Sequence, residues 1–196
     1  MKPGMKYSLF TALTMLLLAG AIIAYQYLTS VITIPTDSSH ELPSVPDNTE
    51  GGEKEKSKAP DFTVTDKEGK ELRLSDNFGR PIILNFWASW CPPCRSEMPV
   101  FEKLYGQYGT DVVFMMVNLT DGYRETANSV KDFVSETGYT FPVCYDIEEK
   151  AAKAYNVSSI PLTVAIDKNG NVYKTHLGTI NETSLEKLIQ TLLEGK

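Results

Sequence analysis

The chain has 196 residues, of which 42% are hydrophobic and 22% charged, with a formal net charge of −6 and three cysteines. The length suits one domain with extensions, and the apolar fraction excludes wholesale disorder. The acidic balance excludes an electrostatic nucleic-acid binder, which needs a basic face. Three cysteines are too few for a disulfide-stapled scaffold or a four-cysteine zinc site.

Residues 1–6 carry Lys2 and Lys6, and the next charge is Asp37. Within this window Leu9 to Leu28 is mostly apolar, enough to span a bilayer core as a helix. Tyr25 and Tyr27 stand where interfacial aromatics are expected. Residues 7–34 therefore read as one transmembrane anchor, with 1–6 cytoplasmic and the C-terminal part exported. A cleaved signal peptide is the rival reading, through the Ala19-Gly20-Ala21 site. However, Ile22 and Ile23 continue the apolar run past it, which favours an uncleaved anchor. Residues 35–58 mix Pro35, Pro43 and Pro46 with Ser, Gly and charged residues, and read as a flexible linker.

Residues 59–196 hold 14 Lys+Arg and 19 Asp+Glu, a net of −5, and are long enough for one compact core. Pro81 to Ala88 is a continuous apolar run, as for a central strand buried on both faces. Asp111 to Val117 and Leu162 to Ile166 read alike. Helical periodicity follows at Met98, Phe101, Leu104 and Tyr105, and at Ala127, Val130 and Val134. It is clearest at Leu185, Leu188, Ile189, Leu192 and Leu193, where Thr183 or Ser184 is the expected cap. Asp66 to Gly69 and Asp167 to Gly170 are turn signals between apolar pairs, so each predicts a hairpin. The class is α/β, a mixed sheet flanked by helices.

The chemistry concentrates in Phe86-Trp87-Ala88-Ser89-Trp90-Cys91-Pro92-Pro93-Cys94. A strand runs into a C-x-x-C pair and a helix follows, which places Cys91 at a helix N-terminus. Free N–H groups and the positive dipole end favour a thiolate there. Pro92 fits the first turn, where its missing N–H is not needed. Cys94 lies one turn on and can close a disulfide with Cys91, so the pair supports reversible two-electron exchange. Zinc would need two more ligands, and the domain offers Cys144 and His176. No metal site and no cofactor are expected. A Cys91–His176 hydrolase leaves Cys94 unexplained. A peroxiredoxin motif fails at Leu84 and Ala88.

On these residues the chain resembles the TlpA/ResA-type membrane-anchored thiol-disulfide oxidoreductases of the thioredoxin superfamily. The resemblance runs from Ala59-Pro60-Asp61-Phe62 to the C-terminus. It covers Trp87 to Cys94, Glu97-Met98-Pro99 and Ile160-Pro161. It implies a thioredoxin-like fold with an N-terminal β-hairpin and a central αβ insertion, preceded by one transmembrane helix. It makes Cys91 the attacking thiol, Cys94 the resolving thiol and Pro161 the cis-proline beside them. Pro99 matches the proline that kinks the active-site helix. Trp90, Pro92, Pro93, Ile160 and Gly178 would line the substrate groove, with close backbone approach favouring glycine at 178.

Thioredoxins carry a buried aspartate where this chain has Asn85. Glu97, three residues after Cys94, matches an acid of the ResA-like subgroup and would act as the acid/base near Cys94. The ordinary alternative is a surface glutamate in the first turns of a helix. Pro92 and Pro93 remove two N–H donors from the Cys91 sulfur, which predicts a less stabilised thiolate and a reductant rather than a strong oxidant. Trp87 reads as core. Cys144 reads as a small buried apolar residue.

The expected function is reduction of disulfides in exported proteins, apocytochrome c being the candidate the resemblance suggests. A membrane thiol-transfer protein of CcdA/DsbD type would be the electron donor. The expected location is the extracytoplasmic side of a bacterial cell membrane. A disulfide-forming oxidase and a thioredoxin-fold binding module with a structural disulfide are the alternatives.

Overall fold

The computed structural model describes residues 15–27 and 57–195. The chain divides into two units, Met1–Gly51 and Gly52–Lys196. In the first, residues 15–27 form helix α1, every residue of it exposed. This is the middle of the expected anchor, and the rest of 7–34 lies outside the described residues, as do 1–6 and most of the expected linker. Among the described residues no helix is long and apolar enough to cross a membrane.

The second unit is built on one seven-stranded mixed sheet. Its strands are β1 (Thr63–Thr65), β2 (Glu71–Arg73), β3 (Ile82–Trp87), β4 (Val113–Asn118), β5 (Val143–Tyr145), β6 (Leu162–Ile166) and β7 (Val172–Leu177). Across the sheet they run in the order β2-β1-β5-β4-β3-β6-β7. Strands β3, β4 and β5 are parallel. The β1–β2 and β6–β7 pairs are the two expected hairpins. Their turns share one device: Asp66 and Asp167 each accept backbone N–H groups two and four residues on. Gly170 closes the second turn at φ +78, and a Cβ there would meet the Phe78 ring at 2.6 Å. Pairing includes Lys58, bridged to Asn171, and Ser57, whose carbonyl accepts the Val172 N–H.

The helices are α2 (Pro92–Tyr108), α3 (Ala127–Thr137), α4 (Lys150–Ala154) and α5 (Glu182–Glu194). Strand alternation explains how they cover both faces. Ile83 and Trp87 of β3 pack with Met98, Phe101 and Leu104 of α2, Val130 of α3 and Leu185 and Ile189 of α5. Ile82, Leu84 and Phe86 point the other way, to Phe62, Val64, Leu74 and Ala151 of α4. The cap of α5 is Asn181, not Thr183 or Ser184: its side chain accepts the Ser184 N–H at 2.9 Å. Ser184 thus donates from inside the first turn instead of preceding it.

Candidate active site

Strand β3, fully buried, ends at Trp87 and delivers the chain to a tight turn in which the Cys91 N–H reaches Ala88 O. Cys91 is the N-cap of α2, with extended backbone (φ −92, ψ 106). Pro92 and Pro93 fill the first two helical positions, so neither offers an orphan N–H. The next amide, Cys94 N–H, donates to Cys91 Sγ at 3.3 Å. A sulfur therefore stands where Ser or Asp usually caps a helix. Cys91 and Cys94 form a disulfide with a Cα–Cα distance of 5.3 Å. Cys94 is fully buried and Cys91 is 3% exposed, while Trp90, Pro92 and Pro93 beside them are exposed.

The Ile160–Pro161 peptide bond is cis, and β6 begins directly after it. Cys91 Sγ lies 3.9 Å from the Ile160 carbonyl oxygen. A depression of about 430 Å³ opens over the disulfide, lined by Trp90, Cys91, Pro92, Pro93, Val157 and Ile160. An apolar, shallow lining beside a sulfur suits exchange with an extended polypeptide better than capture of a small molecule.

A chain segment, residues 54–191, matches the model of the Redoxin family. The chain belongs to the Redoxin family. It is 40% identical over 137 residues to the thiol-disulfide oxidoreductase ResA of Geobacillus kaustophilus, covering 69% of this chain and 76% of that one. It is 37% identical over 139 residues to the thioredoxin-like protein YneN of Bacillus subtilis, covering 70% and 80%. The crystal structure of StoA from Bacillus subtilis superposes with a TM-score of 0.59 at 30% identity, over 66% of this chain and 96% of that one. This redoxin is a thiol-disulfide oxidoreductase with a thioredoxin-like fold.

In this redoxin Pro161 and Gly178 are not among the residues lining the depression. Gly178 donates its N–H to Pro161 O at 2.9 Å and so braces the cis-proline from just past the end of β7. A Cβ at 178 would meet nothing within 4 Å, but the backbone sits at φ +90. The glycine is required by that left-handed conformation and not by close approach.

Glu97 is buried, only 1% exposed, and not a surface residue. Its Oε1 accepts from Asn85 Nδ2 at 2.9 Å and its Oε2 from the Ile180 N–H at 2.9 Å. Burial holds the carboxyl above its usual range, while the Ile180 N–H, the Asn85 amide and the His176 charge pull it back. Pro99 lies inside α2, where it removes a backbone donor from the turn after Glu97.

Sequence reasoning missed Glu125, which is fully buried in the loop after β4. Its carboxylate accepts the Ser89 N–H, the Ser89 hydroxyl at 2.9 Å, the Ser129 hydroxyl at 2.7 Å and the Asn118 amide at 3.4 Å. Asp121 Oδ1 in turn holds the N–H groups of Tyr123, Arg124 and Glu125. Arg124 lays its guanidinium over the Trp90 ring, 3.7 Å from the centroid. One loop thus grips the residues before Cys91 from beneath at Ser89 and from outside at Trp90. No local signal marks Glu125, because its partners come from three separate segments.

Trp87 is fully buried, and its ring lies 5.7 Å from that of Phe133. Cys144 sits in β5, 1% exposed, with its thiol pushed up to about 12 by burial. It belongs to the hydrophobic cluster on the sheet face opposite the disulfide. His176 Nε2 lies 3.1 Å from Thr179 O.

Proposed function

We propose that this oxidoreductase works as a reductant of protein disulfides, with Cys91 as the attacking thiol and Cys94 as the resolving thiol. In the reduced enzyme the Cys91 thiolate attacks one sulfur of a substrate disulfide. The substrate S–S bond breaks, a mixed disulfide forms, and one substrate thiolate leaves and takes a proton. Cys94 then loses its proton to Glu97, and its thiolate attacks Cys91 Sγ. The mixed disulfide breaks, the second substrate sulfur leaves as a thiolate and takes the proton held by Glu97, and the Cys91–Cys94 disulfide forms. Two electrons have passed to the substrate, and an external dithiol must return them. Trp90, Pro92, Pro93 and Ile160 are the groove that receives the substrate backbone, with Pro161 and Gly178 bracing it from behind Ile160.

The observation that carries the reductant reading is the pair of prolines at the first two positions of α2. With those N–H groups absent, one amide, that of Cys94, reaches the Cys91 sulfur. Fewer donors mean less thiolate stabilisation and a more stable disulfide. The reduction potential should lie nearer the roughly −270 mV of thioredoxin than the roughly −120 mV of a strong oxidant such as DsbA. A value near the latter would make the enzyme an oxidase.

The ResA resemblance supports a finer reading: an enzyme anchored through residues 7–34, facing the extracytoplasmic side of a bacterial membrane. Its substrates would include apocytochrome c before haem attachment, and a CcdA/DsbD-type membrane protein would re-reduce it. The Cys94→Ala variant tests this directly, since it freezes the mixed disulfide at Cys91. Apocytochrome c should be recovered in the trapped adducts from membranes of the source organism. Adducts without it would overturn the assignment.

A further inference from the structure

We propose that Asn85, steadied by Thr163, is a positioning residue that fixes which way the buried Glu97 carboxylate faces beside Cys94. The proposal rests on the reading of Glu97 as the acid/base of the resolving step.

Asn85 occupies the middle of β3, fully buried, on the face shared by Ile83 and Trp87. A hydrocarbon is the expected side chain there. Instead a carboxamide uses one N–H on Glu97 Oε1 at 2.9 Å and the other on Thr163 Oγ1 at 3.1 Å. Thr163 is directly opposite Asn85 in the β3–β6 register, so the sheet itself sets that second contact. The Ile180 N–H holds the other carboxylate oxygen at 2.9 Å. Each oxygen of Glu97 is therefore held by a donor from a different part of the fold, and the plane of the carboxylate is fixed between them.

The remaining atom of the amide makes the case sharper. Asn85 Oδ1 is buried and has no hydrogen-bond partner among the described residues. An unmet acceptor in a core destabilises the fold, and a leucine at 85 would avoid that loss. What the amide supplies in return is its donation to Glu97. A carboxyl at 85 would not serve: two buried acids side by side would share one proton, and the pair would titrate jointly. The other titratable group bearing on Glu97 is His176 on β7, and Cys94 stands three residues before Glu97 on its own helix.

The experiment compares the folded, reduced full-length protein with its Asn85→Leu, Thr163→Val and Glu97→Gln variants. Two readouts are taken: carboxyl-carbon NMR titration of Glu97, and the pH dependence of mixed-disulfide resolution by Cys94. Loss of the Asn85 donor should move the Glu97 titration to higher pH. The resolution profile should move with it, and the rate at neutral pH should fall several-fold. Thr163→Val should move both in the same direction by less, and it carries the test alone if Asn85→Leu does not fold. An unmoved Glu97 titration in the folded variants would overturn the proposal. If that titration moves while the resolution profile matches wild type in every variant, Glu97→Gln included, the positioning of Glu97 stands and its acid/base role falls.

Discussion

The backbone N–H and the hydroxyl of Ser89 both end on the carboxylate of Glu125, 36 residues further along the chain. Ser89 stands two residues before Cys91, so the approach of the chain to its reactive sulfur is set by a carboxylate outside the C-x-x-C motif. Glu125→Ala would take the acceptor from three donors, the Ser89 N–H, the Ser89 hydroxyl and the Asn118 amide, in a part-buried site, while the Ser129 hydroxyl keeps the Thr126 carbonyl. A loss of about 3 kcal/mol is expected, since each orphaned buried group costs about 1–3 kcal/mol and water recovers part of the total. Urea unfolding of the oxidised protein measures it. A loss below about 0.5 kcal/mol would mean that water replaces the carboxylate fully.

Glu97 makes stability depend on pH in a definite direction. Burial raises its folded pKa above the unfolded one. Its contribution to stability is fully present below the unfolded value and is lost as pH rises through the folded value. The stability of wild type relative to Glu97→Gln should therefore fall from about pH 4 upward and level off once Glu97 is ionised in the folded state. Unfolding curves of both proteins across that range check it, and a constant difference would contradict the shift.

Cys144 should be inert in the folded enzyme. Its thiol is buried and pushed up to about 12, so almost no thiolate exists at neutral pH. A thiol reagent should find no reactive group in the native oxidised protein and one after denaturation. Cys144→Ala should retain full exchange activity.

The hydroxyl of Tyr155 is buried with no hydrogen-bond partner among the described residues, while its ring packs on Phe62 and Phe86. Tyr155→Phe keeps the ring contacts and removes the unmet polar atom. It should leave stability unchanged or raise it by about 1 kcal/mol, measured as a shift in the urea midpoint with unchanged slope.

The central strands and the reactive turn were legible because local pattern determines them. The apolar runs of β3, β4 and β6 have no polar face to misread, and the Asp-x-x-Gly turns announce both hairpins. The residues around Cys91 were legible for the same reason, since the motif is one continuous segment. Long-range geometry was not. Glu125 is one acid in a polar loop until Ser89, Asn118 and Ser129 are brought to it. Sequence does not single out the α5 cap, because three neighbouring residues, Asn181, Thr183 and Ser184, all have capping side chains. The extent of strand β7 has no sequence signal, because Tyr173 to Thr175 and Leu177 are exposed and form no apolar run. The need for glycine at 178 was seen, but its cause, a backbone dihedral, leaves no trace in composition.

The reactive pair hangs from β3, braced on one side by the loop leaving β4 and on the other by the segment entering β6. Those are three of the five interior strands, while the hairpin partners β2 and β7 take the two rims. Rim strands fray in small local openings, whereas interior strands exchange their amides only when the whole molecule comes apart. Loosening at the β2 rim therefore leaves the sulfurs aligned, whereas the β7 rim is tied to the site through Gly178 on Pro161 and Ile180 on Glu97.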